Sequence, residues 1–270
     1  MAFKIVVCVK QVPDTNEIKI DPVKKTLIRE GVPSILNPDD ANALEAALQI
    51  KDELPETEVT VISMGPPQAK AMLTECMAMG ADRAVLLSDR ALGGSDTWAT
   101  SNALAAGIQK LGGCDLIFAG QQAIDGDTAQ VGPQIAEKLA LPQVTYVSKI
   151  ETVGSTAGES DTMTVVRALE DGYERIKVQI PCLITAIKAL NEPRYMSIRG
   201  IFDALQKDVT VWQAADLGVD ATEVGLDASP TNVYRSFTPV VKGRGQQITG
   251  DTDRELAVNL LQALKSKQIV

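Results

Sequence analysis

Gly120-Gln121-Gln122-Ala123-Ile124-Asp125-Gly126-Asp127-Thr128-Ala129-Gln130-Val131-Gly132 lies between an apolar run, Cys114 to Ala119, and an apolar-periodic stretch, Val131 to Leu139. The first pattern reads as a buried strand and the second as a helix, which puts the glycines and small polar residues at a strand's carboxyl end. In an open α/β sheet that edge receives ligands, because backbone N–H groups and the helix dipole favour an anion there. Local composition alone also fits an ordinary strand-to-helix turn. Length argues for a ligand loop, since such connections need only about two to six residues and this one has roughly ten.

Working outward, further strand-like runs occur at Lys4 to Val9, Val59 to Ser63 and Ala84 to Leu87. Helical patterns separate the strands, at about Pro38 to Leu54, Pro67 to Met79, Ser95 to Leu111 and Thr128 to Leu139. The series predicts an α/β fold with a doubly wound, mainly parallel, Rossmann-like sheet, whose right-handed crossovers gather the loops on one edge. Asn37-Pro38-Asp39-Asp40 reads as a helix start, with Asn37 as N-cap, Pro38 at the first position and two acids on the positive dipole end. Ser63-Met64-Gly65-Pro66-Pro67 ends a strand in a turn. Gly93-Gly94-Ser95-Asp96-Thr97 supplies flexible backbone before Ser95 caps a helix.

After Pro142 the pattern changes to long strands, Val144 to Glu151 and Thr162 to Ala168, separated by a loop at 154–158. A third strand shows Ile176, Val178 and Ile180 alternating with Arg175, Lys177 and Gln179, and Gly172 is expected to supply positive φ in the turn before it. These strands predict an antiparallel extension of the sheet, and a last apolar strand runs from Cys182 to Ile187. Beyond Asn191 periodicity fades until an amphipathic helix at Glu255 to Lys265. The stretch between keeps Trp212, Leu217, Leu226, Tyr234 and Phe237, more apolar residues than a disordered tail needs. It folds back on its own domain or, on the preferred reading, docks as an arm on a partner.

Composition narrows the function. The 270 residues carry a net charge of −9 and 4% aromatics, which argues against a nucleic-acid partner. No apolar run reaches the roughly 18 residues of a membrane span, and no signal peptide is visible at Met1-Ala2-Phe3-Lys4, so a cytoplasmic protein is expected. Cys8, Cys76, Cys114 and Cys182 form no Cys-x-x-Cys pair and read as buried thiols. With no histidine in the chain, His-based triads and His-containing metal sites are excluded, and no metal site is expected. Redox chemistry here would have to come from a cofactor.

Val165-x-Arg167-x-x-Glu170-Asp171-Gly172-x-Glu174-x-Ile176, followed by Pro181-x-Leu183-Ile184-Thr185, resembles the signature of the electron transfer flavoprotein β subunits. Cys8-Val9-Lys10-Gln11-Val12, Met79-Gly80-Ala81-Asp82-Arg83, the Gly120 loop and Asn191-Glu192-Pro193-Arg194-Tyr195 also look like family blocks, so the resemblance covers nearly the whole chain. It implies an adenine-nucleotide-binding domain over 1–190, then, over 191–270, a recognition loop and a C-terminal arm, the arm docking on an α subunit carrying FAD. It implies no catalytic side chain, only an electron carrier. The nucleotide site would be lined by Cys8, Asn37, Asp40, Met64, Gln122, Ala123, Asp125, Gly126, Asp127, Thr128, Ala129, Gln130, Val131 and Gly132.

Within the family, ordinary carriers hold structural AMP in this site, whereas electron-bifurcating members hold a second FAD that takes hydride from NADH. Ser88-Asp89-Arg90-x-x-Gly93-Gly94-Ser95-Asp96-Thr97-x-Ala99-Thr100-Ser101 is similar to the segment of the bifurcating group. That likeness adds Arg90, Gly94, Ser95, Asp96 and Thr97 to the expected cofactor contacts. Ser95 and Thr97 are suited to phosphate oxygens, and Arg90 to a phosphate or the flavin's electron-rich edge. One electron would pass through the α-bound FAD to an acyl-CoA dehydrogenase, and the other to ferredoxin or flavodoxin. Pro193, Arg194, Tyr195 and Ile198 are the partner-binding residues the resemblance implies, with Ile198 as the apolar anchor into the dehydrogenase.

Overall fold

The computed structural model describes residues 3–14, 33–54, 56–154, 161–234 and 243–270. The expected 154–158 loop, beyond Gly154, and Phe237 lie outside the described residues. Those up to Tyr234 form one compact unit, and those from 243 onward belong to a second.

In the first unit β1 (Phe3–Cys8) leads to β2 (Gln11–Pro13), which pairs antiparallel with β3 (Ser34–Leu36) ahead of α1 (Pro38–Glu53). There follow β4 (Thr57–Met64), α2 (Ala69–Met79), β5 (Arg83–Leu87), α3 (Thr97–Lys110), β6 (Leu116–Gly120) and α4 (Val131–Lys138). The chain continues as β7 (Gln143–Gly154), β8 (Thr162–Ala168), β9 (Tyr173–Gln179), β10 (Cys182–Ala186), α5 (Ile198–Ala204) and β11 (Thr210–Trp212). Nine strands form one sheet in the order β11-β5-β4-β1-β6-β10-β7-β8-β9. β1 pairs in parallel with both β4 and β6, so the strand order reverses between β1 and β6.

Side-chain alternation along buried strands builds two cores. Ile5 and Val7 of β1, Val59 and Val61 of β4, and Leu116 and Phe118 of β6 pack with α1 and α2 on one face. Val6 and Cys8, Ile62, and Ile117 and Ala119 pack with α3 and α4 on the other. The predicted antiparallel extension is present as β7-β8-β9. Edge strand β9 exposes Glu174, Arg175 and Lys177, charges that discourage further strand pairing.

One detail, at Gly172, differs from the sequence reading. Strand β10, whose neighbours the sequence left open, inserts in parallel between β6 and β7, where all five of its residues are buried, as a strand covered on both faces must be. Gly172 has no positive φ; the turn closes through the Leu169 amide donating to the Gly172 carbonyl at 2.9 Å. The chain after Asn191 contributes β11 to the sheet, beside β5. In the second unit α6 (Asp253–Ser266) is capped by Thr252, whose hydroxyl accepts from the Glu255 amide at 3.2 Å.

Candidate functional site: the carboxyl edge of the parallel strands

β1 ends at Cys8, β4 at Met64, β5 at Leu87 and β6 at Gly120, so the loops predicted to bind a ligand all leave the same edge of the sheet. The first turn of α1 organises two of them. Pro38 sets the helix start and Asn37 is the N-cap residue, as expected, its carbonyl accepting from the Ala41 amide at 2.9 Å, but its side chain makes no capping hydrogen bond. Its Nδ2 donates instead to the Gln122 carbonyl at 2.8 Å and its Oδ1 accepts from the Ile124 amide at 3.1 Å. A longer-range partner has displaced the side-chain cap, and the fully buried Asn37 becomes a bracket for the Gly120 loop.

Asp40 ties the two strands at the reversal. One carboxylate oxygen accepts from the Lys10 amide at 2.8 Å and the other from the Gly120 amide at 2.9 Å. Burial pushes this carboxyl up to about 7, prevailing over the hydrogen bonds from Asn37, Lys10 and Gly120 that favour its charge. Cys8, on the α3/α4 face, is also buried, and burial raises its thiol far above the ordinary range, with the nearby Asp40 adding to the effect. It is a packing thiol, as are buried Cys76 and Cys182; Cys114 is half-buried. Met64 is half-buried at the same edge.

Within the loop the Gly126 and Asp127 amides donate to the Ala123 carbonyl at 3.1 and 2.8 Å, and Gln122 Nε2 donates to Asp127 Oδ1 at 3.0 Å. Lys10 Nζ pairs with Asp125 at 2.6 Å. Asp127 and Ala129 hold left-handed backbone, φ 49° and 51°, which is unfavourable for side-chain-bearing residues and marks a shape imposed by the surroundings. Thr128 and Gln130 are exposed, and α4 begins at Val131 with no side-chain cap on its N-terminus. Its first-turn amides are therefore available to an anion. Gly132 serves packing, since a Cβ there would meet Thr185 Cγ2 at 2.9 Å.

The loop after β5 begins with a single 3-10 turn, Arg90–Leu92, that leaves Arg90 exposed. The helix cap is Asp96 and not Ser95: the Asp96 carboxylate accepts from the Ala99 amide at 3.0 Å. Ser95 Oγ donates to the Leu92 carbonyl at 2.8 Å and accepts from the Gly225 amide at 3.1 Å. Asp96 also accepts from the Thr231 amide and hydroxyl, at 3.0 and 2.8 Å. Burial opposes its charge, but these donors prevail and hold the carboxyl below its ordinary value. Gly94 has φ 75° and lies against Leu226. Thr97 Oγ1 donates to Gln130 Oε1 at 2.9 Å, joining this loop to the one after β6.

Of the expected partner-binding residues, Tyr195 is 98% and Ile198 78% exposed, whereas Arg194 is turned onto α1. Its Nε and Nη2 donate to Glu45 at 2.8 and 3.0 Å, and Nη2 also to Asp52 at 2.7 Å. Hydrogen bonding to Glu45 holds the guanidinium proton more firmly than usual, although burial opposes this. Sequence reasoning did not single out Lys10, Glu45 or Thr231. Lys10 stood in a quoted block; the others are joined to the site only by long-range contacts.

Chemically the edge offers backbone amides and Arg90 to an anion, and carboxylates at Asp125 and Asp127 to hydroxyl donors. Among the described residues no cluster of His, Cys, Asp or Glu could hold a metal ion.

The family model for the electron transfer flavoprotein domain matches residues 24–217. The chain is 61% identical over 268 residues to the caffeyl-CoA reductase-Etf complex subunit CarD of Acetobacterium woodii, covering 99% of this chain and 100% of that protein. It is 58% identical, with the same coverage, to the electron transfer flavoprotein subunit beta of Clostridium acetobutylicum. To the acryloyl-CoA reductase electron transfer subunit gamma of Anaerotignum propionicum it is 49% identical over 277 residues, again covering 99% of this chain and 100% of that protein. This chain, with its doubly wound sheet, belongs to the electron transfer flavoprotein family. Within that family the chain is a beta subunit.

Proposed function

We propose that this beta subunit belongs to an electron-bifurcating heterodimer and holds FAD at the carboxyl edge described above. When bound there, FAD would supply hydride acceptance from NADH and divide the electrons between ferredoxin or flavodoxin and, through the FAD of the α subunit, an acyl-CoA dehydrogenase. The observation that supports this most is the Thr97–Gln130 hydrogen bond. It makes one continuous rim of the Arg90 to Thr97 and Gln122 to Gly132 loops, two stations where a mononucleotide needs one.

The donor set fits such a ligand. The uncapped first turn of α4 and the exposed Thr128 suit a diphosphate, while Arg90 would offset its charge or that of the flavin's pyrimidine edge. Lys10 neutralises Asp125, which reduces repulsion of an anion by the loop's own acids. The names of CarD and of the acryloyl-CoA reductase subunit, each a component of a CoA-ester reductase system, favour a CoA-linked dehydrogenase as partner. No helix among the described residues is long and apolar enough to cross a membrane, and a cytoplasmic location is part of the proposal.

The alternative is an ordinary carrier holding AMP. It is favoured by Ser95, whose hydroxyl is already engaged with Leu92 and Gly225 and would have to leave them to serve a phosphate. Mixing the purified heterodimer with NADH under anaerobic conditions separates the two. Loss of flavin absorbance is expected, and flavin that stays oxidised favours the AMP carrier.

A further inference from the structure

Helix α1 has a second station, five to fifteen residues past Asn37. Asn42, 3% exposed, donates to the Asn191 carbonyl at 2.7 Å, and Asn191 Nδ2 returns a bond to the Asn42 carbonyl at 3.0 Å. Glu45, 4% exposed, accepts from the Arg194 amide at 3.0 Å as well as from its guanidinium. Burying a carboxylate on a helix that packs against a sheet is costly, and an apolar residue would serve packing alone better. What the ion pair adds is placement. Arg194 directly precedes Tyr195, and the other end of the loop is fixed where Ser197 caps α5, its hydroxyl accepting from the Gly200 amide at 2.9 Å. Gly200 packs so closely on α2 that a Cβ would lie 2.3 Å from the Ala78 carbonyl oxygen. Tyr195 and Ile198 are therefore exposed on a segment clamped at both ends.

We propose that Glu45 is a positioning residue for partner docking, holding the 191–198 loop through Arg194 so that Tyr195 and Ile198 are presented in a preformed arrangement. This rests on the reading that the loop docks an acyl-CoA dehydrogenase. Preorganisation removes the cost of ordering the loop at encounter, so its loss raises KM for the partner more than it lowers kcat. The nucleotide loop is held at the other end of α1, by Asn37 and Asp40, and flavin content is a separate readout.

The test uses the α/β heterodimer, reduced by a butyryl-CoA dehydrogenase with excess butyryl-CoA. Glu45→Gln is expected to raise KM for the dehydrogenase about fivefold with flavin content unchanged, and adding Arg194→Gln should raise it little further because the pair acts as a unit. Arg194→Lys still neutralises Glu45 but loses the two-point fork, and should raise KM about threefold even if Glu45→Gln fails to fold. Unchanged KM in Glu45→Gln and Arg194→Lys, while Ile198→Ala raises it, overturns the positioning role alone. Unchanged KM in all three overturns the docking reading as well. Loss of flavin from Glu45→Gln in step with the rise in KM also overturns the proposal, marking Glu45 as a general stabiliser.

Discussion

The carboxylate of Asp40 accepts the amide of Gly120 at 2.9 Å across eighty positions of the chain, and a Cβ on Gly120 would lie 2.3 Å from that same oxygen. The contact joins the first turn of α1 to the end of β6 where the strand order reverses, and it leaves no room for a side chain. Gly120→Ala must push Asp40 or the loop aside. We expect destabilisation of about 1–3 kcal/mol, read by chemical denaturation, together with loss of nucleotide from the purified heterodimer.

Asp40 also predicts a pH dependence. Its carboxyl is raised in the folded chain from the ordinary 3.8 to about 7 by burial, so between those values the folded state binds more protons than the unfolded one. The stability it contributes is fully present below about 4 and is lost as pH rises through about 7. Asp40→Asn sets an amide against a backbone donor and should cost about 1–3 kcal/mol at pH 4, where both side chains are neutral. The difference in stability between wild type and variant should shrink as pH rises from 4 to 8. A constant difference would contradict the ionisation of Asp40 in this range.

Asn37→Ala removes both contacts to the Gly120 loop while leaving Pro38 to start the helix. Because Asn37 is buried and the Gln122 carbonyl, the Ile124 amide and Asp40 each lose its hydrogen bond, stability should fall by about 1–3 kcal/mol. Nucleotide affinity should weaken by about tenfold, the equivalent of one to two hydrogen bonds, in titrations of the nucleotide-depleted heterodimer.

Arg90→Gln distinguishes the ligands. An exposed guanidinium beside the second station matters for FAD and not for AMP held in the first. FAD retention after gel filtration should fall about five- to tenfold, in keeping with a charge-assisted contact, while AMP binding should be unaffected. Equal loss of both nucleotides would place Arg90 in a shared phosphate contact.

The parallel core was legible because β1, β4, β5 and β6 are short apolar runs separated by helices long enough to cross over, a local pattern. The insertion of β10 between β6 and β7 was not, since strand order depends on pairing between distant segments. The gathering of the loops on one sheet edge was readable from the strand–helix alternation, and the length and glycine content of the Gly120 loop singled it out among them. Asn37 was legible as the N-cap, but the use of its side chain was not: Asn-Pro-Asp-Asp satisfies the local rules for a cap, and only a carbonyl and an amide at 122 and 124 supply the alternative partners. Ser95 and Asp96 are both competent caps, and the choice between them was made by Gly225 and Thr231, more than 125 positions away.

The central claim is that the carboxyl edge of this subunit holds FAD. It is tested most directly by extracting and identifying the nucleotides of the purified α/β heterodimer. Two FAD per heterodimer and no AMP are expected, and one FAD with one AMP would contradict the account.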